Sequence, residues 1–290
     1  MQRVKDLIKL YKLNVWTLLI FTAIISYLLA VKAGYTFNLF TFLMMIIAGS
    51  FTIMGDGALN EYLERDTDRL MDRTKKRPLV KGTISPNFAL YSGIILVIAG
   101  ILLSYLFINA LTSFFMFFAT AMYMIYTYLK KRTWLNVIIG GFAGNCTAWG
   151  GWAAATNNFN VFAFLLGMLI YFWTNPHIWA LAMRRREDYL NANIKMLTAM
   201  YDEKTSSKYI AYSAIPLPIV STLIGYIGGF SLVYLLLSLV LNVIFFVIIA
   251  RILMNPTKKN AWLLFKFSTP YLALIFLFMF IDPASLAIKF

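Results

Sequence analysis

The sequence predicts an all-α, polytopic membrane protein, and three observations carry that expectation. Of 290 residues, 61% are hydrophobic and only 13% are charged, where a soluble domain carries roughly a quarter charged residues. The apolar residues gather in separate runs of about 20, the length that crosses a ~30 Å hydrocarbon core as a helix. Between those runs lie polar segments, and nearly all basic residues fall in every second one. The expectation is nine spans in a single transmembrane domain over residues 1–290.

Span 1, residues 14–33, follows a basic segment and has no small-residue cleavage pattern behind it, so it reads as a span rather than a removable leader. Span 2, residues 38–58, runs into a long stretch, 59–87, that carries both signs of charge. Spans 3 and 4, 88–108 and 111–129, are parted only by a short turn at Asn109 and should be antiparallel neighbours. Lys130, Lys131 and Arg132 close span 4. Three cations there suit a helix C-terminus and a cytoplasmic face, and a diphosphate site would use the same residues. Span 5, 135–156, carries Gly140, Gly141, Gly144, Gly150 and Gly151, a spacing that lets helices approach closely. Span 6, 161–183, contains Pro176, which predicts a kink and a freed carbonyl near Phe172. Spans 7 and 8, 209–228 and 231–250, meet at Gly228-Gly229. Span 9, 262–281, holds Lys266 one turn inside, from where it can snorkel outward.

With the N-terminus cytoplasmic, the inner segments are 1–13, 59–87, 130–134, 184–208 and 251–261. All 26 Lys and Arg residues except Lys32 and Lys289 lie in them or, as Lys266, reach that side. The positive-inside bias therefore predicts a multi-pass cell-membrane protein with its N-terminus in and its C-terminus out. The net charge of +14 is mainly topological, and no nucleic-acid partner is expected. Cys146 is the only cysteine, so no intrachain disulfide exists.

Most of the acidic residues collect in the two long inner segments. Asn60, Glu64, Asp68 and Asp72 recur every four residues; if span 2 continues as a helix they form one stripe with Glu61 beside it. Like charges at that spacing repel by a few tenths of a kcal/mol per pair, so something should offset them. Arg65 and Arg69 could do so, and so could a divalent cation. Mg²⁺ takes one or two carboxylates and shares its remaining positions with waters and substrate phosphates. Arg73, Lys75, Lys76, Arg77 and Lys81 follow at once, cations fit for phosphate oxygens. A solvated helix end of alternating charge is the plainer reading of the same residues. The second segment holds Glu187, Asp188, Asp202 and Glu203 behind Arg184-Arg185-Arg186, which read as an inner anchor. His177, the only histidine, lies in apolar surroundings; it either faces a cavity or is satisfied by a neighbouring helix.

At these residues the chain resembles the UbiA-type intramembrane prenyltransferases, and among them the protohaem IX farnesyltransferase branch. Asn60 through Thr74, then Arg77-Pro78-Leu79 and Lys81-Gly82-Thr83-Ile84-Ser85, looks like the first aspartate-rich motif and its extension. Lys130-Lys131-Arg132-Thr133 with Asn136 and Ile139-Gly140-Gly141 resembles the KRRT…N…IGG loop. Trp173-Thr174-Asn175-Pro176-His177-Ile178-Trp179-Ala180-Leu181-Ala182 resembles WTPPHFWALA, the stretch most particular to the haem-modifying branch. Asp188-Tyr189 and Asn193-Ile194-Lys195-Met196-Leu197 resemble the DY…GIPMLP segment. The chain departs from these patterns in Glu61 and Glu64 for Asp, Arg184 for an acid, and Asn175 for a proline. Asn193, Lys195 and Thr198 stand in place of Gly, Pro and Pro.

The resemblance implies nine helices around a central cavity open to the cytoplasmic side. It implies that Asn60, Glu64, Asp68 and Asp188 bridge Mg²⁺ to farnesyl diphosphate, with Glu61, Asp72 and Tyr126 in support. Arg73, Arg77, Lys130, Lys131 and Arg132 would neutralise the leaving diphosphate. Haem b would be the acceptor, touched by His177, and its vinyl group would gain a hydroxyethylfarnesyl chain. Tyr123, Tyr126 and Phe172 are available to face the allylic cation. A downstream haem-modifying or haem-accepting membrane protein is an implied partner. The alternatives are the same chemistry on a quinone precursor or a glycerol phosphate lipid, a transporter, and a non-catalytic assembly factor. A transporter usually carries its charges near the midplane; here they gather at one face.

Overall fold

The computed structural model describes residues 2–284, 286 and 288; Lys289 lies outside the described residues. Helices succeed one another in the order α1 (Gln2–Leu10), α2 (Leu13–Lys32), α3 (Leu39–Asp68), α4 (Pro78–Lys81), α5 (Pro86–Phe107), α6 (Ala110–Leu129) and α7 (Asn136–Thr156). They continue as α8 (Val161–Arg184), α9 (Arg186–Asn191), α10 (Leu197–Met200), α11 (Glu203–Ala214), α12 (Pro216–Gly228), α13 (Leu232–Met254) and α14 (Lys258–Ile281). Among the described residues, eight helical stretches are long and apolar enough to cross a membrane. The chain is therefore a multi-pass membrane protein. The span expected at 135–156 forms α7, which is helical over 21 residues. Its glycines and asparagines keep it out of those eight, so the count of nine does not follow from apolarity alone.

Three departures from the expected elements have local causes. α3 does not stop with its apolar run near residue 58 but continues to Asp68, carrying the acidic residues out on a rigid rod. The span expected at 209–228 is instead α11 and α12, parted at Ile215 just before Pro216, because proline has no N–H to donate and crowds the preceding turn. α8 runs unbroken through Pro176. That helix is the centre of the bundle, with α7, α11, α12 and α14 packed on it, and such packing holds a proline-containing turn in place.

Close helix approach depends on particular glycines. A Cβ at Gly55 of α3 would lie 2.7 Å from the Gly93 carbonyl of α5. At Gly151 of α7 it would drive into the Ala23 carbonyl of α2, with backbone, not a flexible side chain, in the way. Gly151→Ala is expected to push α2 off α7 and destabilise the fold by about 1–3 kcal/mol, read as a lowered thermal midpoint in detergent. On the outer faces, Ile95, Leu102, Leu106, Leu236, Leu239 and Val240 are exposed, an arrangement suited to lipid rather than water. Lys32, the described exception to the basic asymmetry, has a structural task. Its Nζ donates to the carbonyls of Met279 and Phe280, both at 3.2 Å, and to that of Asp282, closing the C-terminus of α14.

Candidate active site

The end of α3 brings Asn60, Glu61, Glu64 and Asp68 to one end of the bundle, and all four are buried. Side chains four apart on a helix share a face, and each is met by a cation from elsewhere. Arg77, in the loop that leads into α4, places Nη1 2.5 Å from Asp68 Oδ2 and 3.8 Å from Glu64 Oε2. Its Nε lies 3.7 Å from Glu61 Oε1. Lys130, at the end of α6, donates to Glu64 Oε1 at 2.6 Å and lies over the Tyr126 ring, 4.3 Å from its centre. Lys12, between α1 and α2, donates to Asn60 Oδ1 and, at 3.0 Å, to the Tyr123 hydroxyl. Asn60 in turn donates through Nδ2 to Thr127 Oγ1 at 2.9 Å.

These contacts set the charges. Burial works against the charge of Arg77, but Asp68 and then Glu61 and Glu64 hold its pKa above the ordinary guanidinium value. Lys130 is likewise raised, because the pull of Glu64 outweighs its burial. Lys12 is lowered, first by burial and then by the nearby Arg77 charge. Its backbone is left-handed, with φ 50°, a conformation that costs a non-glycine residue of order 1–3 kcal/mol and persists only where surroundings hold it.

The second acidic segment reaches the same end of the bundle. Asp188 of α9 is buried, and its Oδ1 accepts from the Asp72 backbone N–H at 3.2 Å, just beyond the end of α3. Two of the residues that set this chain apart help to build the loop behind it. Asn193 has φ 50°, and asparagine is among the few non-glycine types that take that conformation readily. The Lys195 N–H donates to the Lys130 carbonyl at 2.8 Å, a bond proline could not make, while the Lys195 carbonyl accepts from Asn136 Nδ2 at 2.9 Å.

Not every sequence candidate joins this cluster. α3 ends at Asp68, so Asp72 leaves the stripe; its side chain is exposed and pairs with Lys75 at 2.5 Å. Lys131 and Arg132 are exposed, and Arg132 stacks on Tyr128, 4.1 Å from the ring centre. Arg73 lines a polar cleft of about 430 Å³ with Lys9, Lys12, Glu61, Lys76 and Arg77. Lys12 also lines a second, mainly apolar cavity of about 490 Å³, so it stands at the neck between the two. Sequence reasoning missed Lys12, which resembles any other cation of a basic N-terminus.

The apolar cavity is lined by Tyr123, Tyr126, Gly140 and Gly144 and by Trp173, His177 and Phe265. His177 is sandwiched between Trp173 and Phe265, with ring centres 4.3 and 4.5 Å away. Its Nδ1 lies 2.7 Å from Ser268 Oγ. Ser268 Oγ already donates to the Phe265 carbonyl at 2.8 Å, which assigns Nδ1 as the donor; in the neutral imidazole Nε2 then carries the lone pair.

A buried acidic-basic cluster above a membrane-embedded apolar cavity suits an amphipathic substrate with an anionic head. The sequence model of the UbiA prenyltransferase family matches residues 18–280. A protein of Sulfolobus acidocaldarius named protoheme IX farnesyltransferase is 40% identical over 272 residues, covering 93% of each chain. One of the same name from Saccharolobus islandicus is 42% identical over 284 residues, covering 97% of each. In fold, the chain is similar to a digeranylgeranylglyceryl phosphate synthase, with TM-score 0.80, 22% identity, and 97% and 99% of the two chains covered. It is also similar to a UbiA homolog from Archaeoglobus fulgidus bound to DMAPP and Mg²⁺, with TM-score 0.70, 16% identity, and 93% and 99% coverage. By its matched length, its relatives and its fold, the chain belongs to the UbiA prenyltransferase family.

Proposed function

We propose that this protein transfers the farnesyl group of farnesyl diphosphate to a vinyl group of haem b, with Mg²⁺ at the carboxylate cluster. The observation that supports the reading is the buried cluster of Asn60, Glu64 and Asp68 with Arg77 and Lys130 at one end of the bundle, with Asp188 bonded to the Asp72 N–H just beyond α3 and Lys12 shared with an apolar cavity that His177 also lines. The relatives named protoheme IX farnesyltransferase support the choice of acceptor.

The donor set fits Mg²⁺. It comprises carboxylates and an amide oxygen, the hard ligands this ion takes, and Glu61 Oε2 and Asp188 Oδ2 are buried without a hydrogen-bond partner. Among the described residues no three acidic side chains are already gathered in a ready-made metal group; Arg77 and Lys130 hold those oxygens instead. When bound, the ion supplies positive charge against the diphosphate as it leaves.

The remaining work falls to the chain. Lys12, Arg73, Lys76 and Arg77 line the cleft where the diphosphate head binds, and their charges stabilise the developing pyrophosphate. The apolar cavity takes the prenyl chain and keeps water from the allylic carbon. The faces of Tyr123 and Tyr126 attract the cation that forms there. His177 presents the lone pair of Nε2, an imidazole donor suited to haem iron. Lys131 and Arg132, exposed at the rim, would act in substrate approach. The basic loops around the cleft favour a cytoplasmic N-terminus and an external C-terminus. A haem-modifying or haem-accepting membrane protein would take the product.

Purified protein with Mg²⁺, farnesyl diphosphate and haem b should yield a haem heavier by a hydroxyfarnesyl unit. Turnover only with a phenolic quinone precursor or a glycerol phosphate lipid would overturn the acceptor. His177→Ala is expected to erase the haem absorbance signature of the loaded protein and to weaken haem binding at least tenfold. An unchanged spectrum would remove His177 from the acceptor site.

A further inference from the structure

Asp56 is a buried carboxylate that none of the roles above employs. It sits on α3 one turn before Asn60, about 6 Å deeper along the helix axis at 1.5 Å per residue, and it lines the apolar cavity. It is the only acidic side chain among those lining that cavity in the described residues. Its relative exposure is 9%. Oδ2 accepts one long hydrogen bond, 3.3 Å from Thr120 Oγ1, and Oδ1 is buried with no partner at all. No described salt bridge includes it.

A carboxylate placed for structure would have its oxygens satisfied, because an unpaired buried polar group costs free energy and an intramembrane acid costs more. Asp56 instead lines the cavity with one oxygen unpartnered and the other held by a single long hydrogen bond. Its depth is telling. A diphosphate head held near Asn60, with its prenyl chain in the cavity, puts the allylic carbon between the levels of Asn60 and Asp56.

The chemistry at that level has a proton to dispose of. The C–O bond to diphosphate breaks and its electron pair leaves with oxygen. The acceptor's electron pair forms the new bond to the farnesyl carbon. With a vinyl acceptor the positive charge moves to the carbon beside the porphyrin, where water adds through oxygen and must shed one proton. With a phenol or an alcohol as acceptor, one proton is likewise left over. Of the other titratable groups lining the cavity, Lys12 is engaged by Asn60 and Tyr123, and the Nε2 of His177 is assigned to the haem by the reading above.

We infer that Asp56 is the proton acceptor of prenyl transfer, its carboxylate taking the proton from the adding water, or from the acceptor itself, beside the allylic carbon. This rests on the cavity being the place of transfer, and it holds for any of the three acceptors. The proton passes to cleft solvent once the products leave.

The test uses the full chain in detergent with Mg²⁺ and farnesyl diphosphate. Wild type is offered haem b, a phenolic quinone precursor and a glycerol phosphate lipid, and the variants are assayed on whichever it prenylates. Failure of the haem reading then appears in the wild-type acceptor profile, and failure of the Asp56 inference appears in the ratio of variant to wild type. Asp56→Asn keeps size and shape; kcat is expected to fall about 10²-fold or more, with the KM for farnesyl diphosphate within about twofold. Asp56→Ala leaves room for a small carboxylate, and added formate is expected to restore its rate at least tenfold, a response that a packing role would not give. Asp56→Asn within about threefold of wild-type kcat, or Asp56→Ala indifferent to formate, overturns the inference.

Discussion

Asp68→Asn is expected to lower kcat by about 10³-fold or more while leaving the protein folded. The substitution keeps the shape and one oxygen of the side chain and removes only its charge, which both Arg77 and a bound cation would use. The site supplies charge against a departing pyrophosphate, and loss of a single well-placed group in such a site costs about 10²–10³ in rate. On the proposed reading Asp68 is also a carboxylate of the Mg²⁺ site, and its loss would add to that. The fold should survive because Arg77 still has Glu61 and Glu64 at 3.7 and 3.8 Å. Initial rates at saturating farnesyl diphosphate across a Mg²⁺ titration are the measurement. Asp66→Asn is the control on the same helix: Asp66 is exposed, pairs only loosely with Arg65 at 3.8 Å, and should retain its rate within about twofold. If Asp68→Asn stays within tenfold of wild type, the carboxylate stripe is not the seat of the reaction.

The membrane bundle was legible because span length and charge asymmetry are local properties of the chain. The stripe Asn60, Glu64, Asp68 was legible for the same reason, since a period of four needs no knowledge of the fold. Its inward continuation to Asp56 was equally open to inspection, but Asp56 lies within an apolar run, where it looks like part of the span. Its cavity becomes visible only when α6, α7 and α8 close around it. Lys12 shows the opposite limit. Nothing local separates it from Lys5 or Lys9; its importance comes from Asn60 and Tyr123, 48 and 111 residues away. α7 was recognised as helical, yet its glycines dilute the apolar signal while they let α2 and α8 pack against it. Asn193 and Lys195 read as departures from the family's motif. In the fold they are replacements that serve the same loop, one tolerating its left-handed turn and the other adding a hydrogen bond.

The cations that hold the stripe lead to a prediction in which stability and metal binding move together. Arg77→Ala is expected to destabilise the metal-free protein by about 3–5 kcal/mol, the cost of removing one partner from a buried charge set. Glu61, Glu64 and Asp68 would then share a desolvated site with only Lys12 and Lys130 against them. Mg²⁺ should reverse much of that loss. In wild type a metal reaching Asp68 must displace a guanidinium 2.5 Å away, so part of its binding free energy is spent on the exchange. In the variant no such competitor exists, and a ligand that binds only the folded state stabilises it by RT ln(1 + [L]/Kd). The thermal midpoint of Arg77→Ala should therefore start below wild type and climb more steeply with Mg²⁺. Activity should not return with it, because the diphosphate has lost a cation of its cleft. The double variant Arg77→Ala/Asp68→Asn should be less destabilised than the two single effects summed, as expected of residues in direct contact. Equal Mg²⁺ slopes for wild type and Arg77→Ala would mean that Arg77 and the metal do not compete for the same oxygens. Arg77 would then be a fixed part of the scaffold and not the group that yields when the substrate's metal arrives.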